Sequence, residues 1–163
     1  MQKGYTIVEI ISVIVVISIL ASIGFITYNG AQKRGYDSAI QSDLDSTAGL
    51  LESHRVNTST THQFPSTQAD LTPLGIRATK NAYNVSTTTN FVYCVNTTGF
   101  QSFALVALSK SGVVLMMTQD GLKTNSFTQG DFSNATTICS TLGLALVSAG
   151  MSAPNTWQTW VGN

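Results

Sequence analysis

The stretch Gly4–Ile26, GYTIVEIISVIVVISILASIGFI, decides how the rest of the chain is read. It lies at the extreme N-terminus of the sequence, is apolar enough to enter a membrane, and carries one acid, Glu9, near its start. From Ile10 to Gln32 no residue is charged. As a helix rising about 1.5 Å per residue, about 20 residues cross a hydrocarbon core of roughly 30 Å, so the segment is long enough to span. Ser12, Ser18 and Ser22 interrupt the aliphatic run, and their hydroxyls can return to the helix backbone.

Three readings of this segment differ in what they explain. A cleaved secretory signal fits poorly: its positive region holds only Lys3, the apolar run exceeds the usual h-region, and Ala21-Ser22-Ile23 is a poor cleavage site. An ordinary signal anchor fits the length, but Lys33-Arg34 oppose Lys3 in setting orientation, and Glu9 is left without a purpose. An acid in a membrane is expensive, by about 2.5–3.5 kcal/mol at a helix centre, and asks for a partner.

The third reading accounts for both oddities. Gly4-Tyr5-Thr6-Ile7-Val8-Glu9, followed by a long aliphatic run, resembles the class III signal of type IV pilins and pseudopilins. The resemblance implies a prepilin peptidase that cuts between Gly4 and Tyr5 on the cytoplasmic side and methylates Tyr5. Glu9 then becomes the fifth residue of the mature chain. Its carboxylate would pair with the new amine of a neighbouring subunit and fix subunit register, since a paired charge in an apolar bundle is far better than a lone one. Tyr5 stands where the family usually has phenylalanine, and Ile26 where it often has proline.

Helical periodicity continues past the apolar run. Tyr36, Ile40, Leu44, Thr47 and Leu51 form one face, and Asp37, Gln41, Asp45 and Glu52 the other. The helix is expected to run to about Arg55 and to stop at Asn57-Thr58-Ser59-Thr60-Thr61. Gly24, Gly30 and Gly35 weaken its middle by about 1 kcal/mol each relative to alanine. The stretch is open to two readings, a tolerated kink or a segment that unwinds in a filament.

Beyond residue 57 comes a loop-rich connector. In Phe64-Pro65-Ser66-Thr67-Gln68-Ala69-Asp70-Leu71, Ser66 or Thr67 could cap a short helix with Asp70 in its first turn. The period then changes to two. Phe91–Val95, Ser102–Leu108 and Val113–Met117 are β-branched and aromatic runs separated by turn residues, which predicts an antiparallel meander with the helix stripe covering one face. Asp120-Gly121 is expected to turn the chain away, and residues 138–149 fit either a helix or a last strand. Cys94 and Cys139 are consistent with one disulfide in an oxidising compartment, or with two free thiols; the resemblance implies the bridge.

The expected fold is therefore α+β and pilin-like: a long N-terminal helix whose apolar half protrudes, packed on a small antiparallel sheet. Expected segments are a leader, 1–4; a transmembrane or filament-core helix, 5–32; its amphipathic half, 33–56; and a globular head, 57–163.

Little in the sequence suggests chemistry. Charged residues make up 10 % of the chain, against about a quarter in ordinary soluble proteins, and net charge is zero. Without a basic cluster, nucleic-acid binding is not expected. His54 and His62 have no ligands at metal spacing, and no nucleophile elbow, P-loop or zinc-protease motif occurs. Asp120 and Asp131 could flank a calcium loop, but without EF-hand spacing. Asn57, Asn84, Asn96 and Asn134 match the N-x-S/T sequon, as chance allows in so Asn-, Ser- and Thr-rich a chain. Trp157 and Trp160 are expected to pack on the head or to form an adhesive surface.

The expected function is that of a non-enzymatic subunit, without cofactor, of a surface filament for motility, adhesion or DNA uptake. It would be a single-pass precursor in the cytoplasmic membrane and then an extracellular homopolymer, with the prepilin peptidase and the assembly machinery as partners. The alternatives are a pseudopilin of a type II secretion or competence system and a membrane-anchored binding module that never polymerises.

Overall fold

The computed structural model describes residues 4–57 and 62–162, without the side chains of residues 24–27. The chain divides into two units, Met1–Arg34 and Gly35–Asn163. Helix α1, Ile7–Asn57, contributes to both. The expected stop at Thr58–Thr61, and residues 1–3 of the expected leader, lie outside the described residues.

In the first unit α1 is long and apolar enough to cross a membrane. Its described side chains are all exposed, from Ile7 through Ile23 and on to Arg34. The three serines are turned inward on the backbone: Ser12 Oγ donates to Glu9 O at 2.8 Å, Ser18 Oγ to Ile14 O at 2.7 Å, and Ser22 Oγ to Ser18 O at 2.8 Å. A helix that satisfies its hydroxyls internally suits a solvent without hydrogen-bonding capacity. Asn29-Gly30 and Gly35 remain helical, so the glycines do not end the element.

The second unit is built on a five-stranded antiparallel sheet in the order β4-β3-β2-β1-β5. The strands are β1, Phe91–Val95; β2, Phe103–Leu108; β3, Val114–Thr118; β4, Gly121–Lys123; and β5, Ala145–Ala149. Alternation along the central strands sorts side chains onto two faces. Phe91, Tyr93 and Val95 of β1, with Phe103, Leu105 and Ala107 of β2, share a core with Ile40, Leu44 and Leu51 of α1. Val92 and Cys94, with Ala104, Val106 and Leu108, point into a second core with Phe132, Ile138 and Cys139. Both central strands are buried along their whole length.

This corrects the expectation of a sheet with one covered face. The second cover is α3, Ala135–Thr141, with the 3-10 turn Gln129–Ser133 before it. Residues 138–149 are helix and strand in succession. Gly143, at φ 70°, makes the reversal after α3, a conformation that side chains with a Cβ disfavour, and β5 follows. The expected exit at Asp120-Gly121 is instead a tight turn from β3 into β4, which pairs back with it.

Smaller elements close the first core. Helix α2, Gln68–Leu71, starts at Thr67, whose side chain and Asp70 form a capping box. Tyr93 passes its buried hydroxyl to Pro65 O at 2.9 Å, and burial first, then the Asp70 charge, pushes that phenol's pKa up. A two-stranded hairpin, β6 (Met151–Ala153) and β7 (Thr156–Trp157), leads to Trp160 and Val161, which are buried in the same core. Gly150 precedes the hairpin, where a Cβ would stand 3.1 Å from the Phe91 side chain.

Candidate functional site

Gly4 and Tyr5 lie in exposed, non-helical backbone directly before α1. The peptide bond between them is uncovered, and the helix begins only at Ile7. Thr6 and Glu9 form the helix start. Thr6 N and Thr6 Oγ1 both donate to Glu9 Oε2 at 2.8 Å, and Glu9 N donates to Thr6 Oγ1 at 3.2 Å. This reciprocal pattern is a capping box, and it places a carboxylate at the positive end of the helix dipole. Among the described residues, Oε1 of Glu9 makes no hydrogen bond.

Glu9 thus has an identified partner within its own chain, in addition to any it gains elsewhere. The sequence reading missed Thr6, although the signal was present: Thr6-Ile7-Val8-Glu9 has the S/T-x-x-E spacing of a capping box just before an apolar run.

Cys94 of β1 and Cys139 of α3 are bonded, with Cα atoms 5.5 Å apart and both residues fully buried. The bridge ties α3 to the second face of the sheet, against which that helix also packs.

The residues considered for metal chemistry go separate ways. Asp131 closes a capping box with Thr128, through Thr128 N at 2.7 Å and Thr128 Oγ1 at 2.9 Å. Those bonds hold its carboxyl below the usual aspartate range. Asp120 instead faces Lys123 at 3.7 Å. Among the described residues no group of three His, Cys, Asp or Glu side chains could hold a metal ion. Three of the sequon asparagines serve local turns. The side-chain oxygens of Asn84, Asn96 and Asn134 accept from the backbone N–H of Ser86, Ser102 and Thr136.

Compared with known proteins, the chain is 26 % identical over 112 residues to the type IV wide pilus major component PilA4 of Thermus thermophilus. The match covers 69 % of this chain and 77 % of that protein. The chain is similar to a type IV pilin. Its long N-terminal helix and antiparallel sheet make the fold α+β and pilin-like. No protein-family model matches the chain, and no solved structure does.

Proposed function

We propose that this chain is a structural subunit of a type IV pilus-like filament, held in the membrane as a precursor and cut between Gly4 and Tyr5. The observation that carries the reading is the first unit of α1. It is a helix of membrane-spanning character that buries nothing within its own chain, yet it starts with an acid held by a capping box. The similarity to a pilus major component supports the same reading and gives no support for an enzyme.

Cleavage would leave Tyr5 with a free α-amine, methylated in the mature subunit. Moving helices from lipid into a bundle brings little hydrophobic gain, because lipid tails are as apolar as the helix surface. Polar contacts must then set the stagger. Glu9 has one oxygen committed to Thr6, and its other oxygen would accept the amine of an adjacent subunit. The carboxylate is thereby hydrogen-bonded before assembly and would be charge-paired after it. The second unit remains outside the bundle and forms the filament's outer surface. The completed polymer is extracellular.

Intact mass spectrometry of protein sheared from the cell surface tests this. The mature subunit should lack residues 1–4 and carry one added methyl group. A surface form that retains Met1–Gly4 would overturn the proposal.

A further inference from the structure

A groove of about 630 Å³ opens on the second unit, beside the β6–β7 hairpin. Its volume falls within the range of small-molecule sites, about 300–1,000 Å³. Three separate segments build it. The turn at Thr79–Asn81 forms one wall, Lys110 comes from the β2–β3 connection, and Asn155 and Trp157 come from the hairpin. Asn155 is held at φ 61°. Asparagine adopts that left-handed geometry readily in a hairpin turn, and here the turn sets Asn155 on the groove wall.

The charges around the groove are sorted in an unusual way. Two carboxylates reach this side of the head from α1, yet neither pairs with a lysine. Asp43 accepts from Thr79 N at 2.6 Å and from Thr79 Oγ1 at 3.1 Å. Asp37 accepts from Ser111 Oγ at 2.5 Å. The two lysines lie over aromatic rings instead. Lys80 Nζ stands 5.5 Å from the Trp157 ring centre, and Lys110 Nζ stands 5.7 Å from that of Tyr36. Among the described residues neither ammonium has an acidic partner. Both rings are half-buried, and a cation over such a ring at the protein surface is held by only about 0.5–1 kcal/mol, so each can turn to a stronger partner. The Trp157 ring itself is fixed, edge-to-face with buried Tyr83 at 5.3 Å and 87°.

From this arrangement we infer that the groove binds an acidic saccharide, a sugar bearing a carboxylate. Lys80 and Lys110 take the anion as charge-assisted donors. Trp157 offers a rigid apolar edge to the sugar ring. The amides of Asn81 and Asn155, which have no hydrogen-bond partner among the described residues, meet its hydroxyls. A nucleic acid fits less well. Strands of nucleic acid are tracked by a basic groove with successive stacking aromatics, whereas among the described residues two cations, one indole and the buried ring of Tyr83 line the wall. The inference concerns the head alone and does not depend on the filament proposal.

The test is calorimetric titration of the full chain in detergent micelles with tetragalacturonate, with its methyl ester, and with an oligothymidylate. Tetragalacturonate should bind at least about tenfold more tightly than the uncharged ester, the ratio expected for charge-assisted bonds. The double variant K80Q/K110Q should lose about tenfold in affinity for the acid while melting as the parent does. K123Q, a charge change away from the groove, should leave affinity unchanged. The inference is overturned if the acid shows no saturable binding, if the ester binds equally well, or if K80Q/K110Q binds the acid like the parent. Tighter binding of the oligothymidylate through the same lysines would also overturn it, making the groove a nucleic-acid site.

Discussion

Helix α1 plays opposite parts in the two units of the chain. In the first unit its described aliphatic side chains are exposed all round, and the hydroxyls of Ser12, Ser18 and Ser22 bond to neighbouring turns. In the second unit Ile40, Leu44 and Leu51 are fully buried against the sheet, and the side chains opposite them are polar. One half finishes its hydrogen bonding locally and leaves its packing to surroundings other than its own chain. The other half finishes its packing within the chain. The difference lies in the side-chain period, which changes along one helix from apolar all round to a single apolar stripe. An all-round apolar surface is satisfied by lipid or by other helices, and a single stripe is satisfied by a sheet.

The comparison predicts that damage to one half spares the other. The largest effect is expected for Glu9→Leu, which should reduce sheared filament by at least roughly tenfold, because an amine buried in the bundle would lose its counter-charge. Thermal unfolding of the head should not change. A loss of filament accompanied by a lower melting temperature would break the separation. Replacing both Cys94 and Cys139 by alanine should destabilise the head by about 4 kcal/mol, as measured by urea denaturation, while membrane insertion stays intact. Leu44→Ala, on the sheet side of α1, should remove about 3 kcal/mol by opening a cavity in the first core. The matching change in the apolar half, Leu20→Ala, should leave the head's urea midpoint unchanged. Thr67→Ala should cost about 1 kcal/mol through loss of the α2 cap.

The smallest effect is a pH dependence. The Asp131 carboxyl is held below its ordinary pKa by its bonds to Thr128. Its contribution is therefore present above the unfolded value and is lost as the pH falls through the folded one. In Asp131→Asn the acid limb of the stability curve should be slightly flatter below about pH 4.

Much of this organisation was legible in the sequence. The stripe from Tyr36 to Leu51 and the runs beginning at Phe91 and Ser102 follow from periods of 3.6 and 2, and the Thr67–Asp70 cap from side-chain chemistry. What stayed hidden depended on tertiary pairing. β4 is three residues long, Gly121–Lys123, and is a strand only because β3 lies beside it. Residues 138–149 gave an apolar average because two short elements of different period adjoin there at Gly143. The second core could not be read from alternation, since Val92 to Cys94 and Ala104 to Leu108 are apolar on both faces and periodicity names no cover for either. At the N-terminus Glu9 stood out by its charge, while Thr6 escaped attention because an uncharged hydroxyl beside an apolar run looks ordinary. The groove was invisible because its lysines come from positions 80 and 110 and its indole from position 157.

The placement of β5 also sets an order of events. The central strand β1 takes β2 as one neighbour within a few residues, but its other neighbour is β5, and the core beneath it waits for Trp160 and Val161. Arg77 is likewise bridged to Gly162. A chain emerging from the ribosome or crossing a membrane therefore cannot close the head until residue 162 has arrived. The helix at the front is already in place while the domain behind it is still open. Cys139 arrives before β5, Trp160 and Val161, so the bridge to Cys94 can close the second core while the first still waits for its last residues.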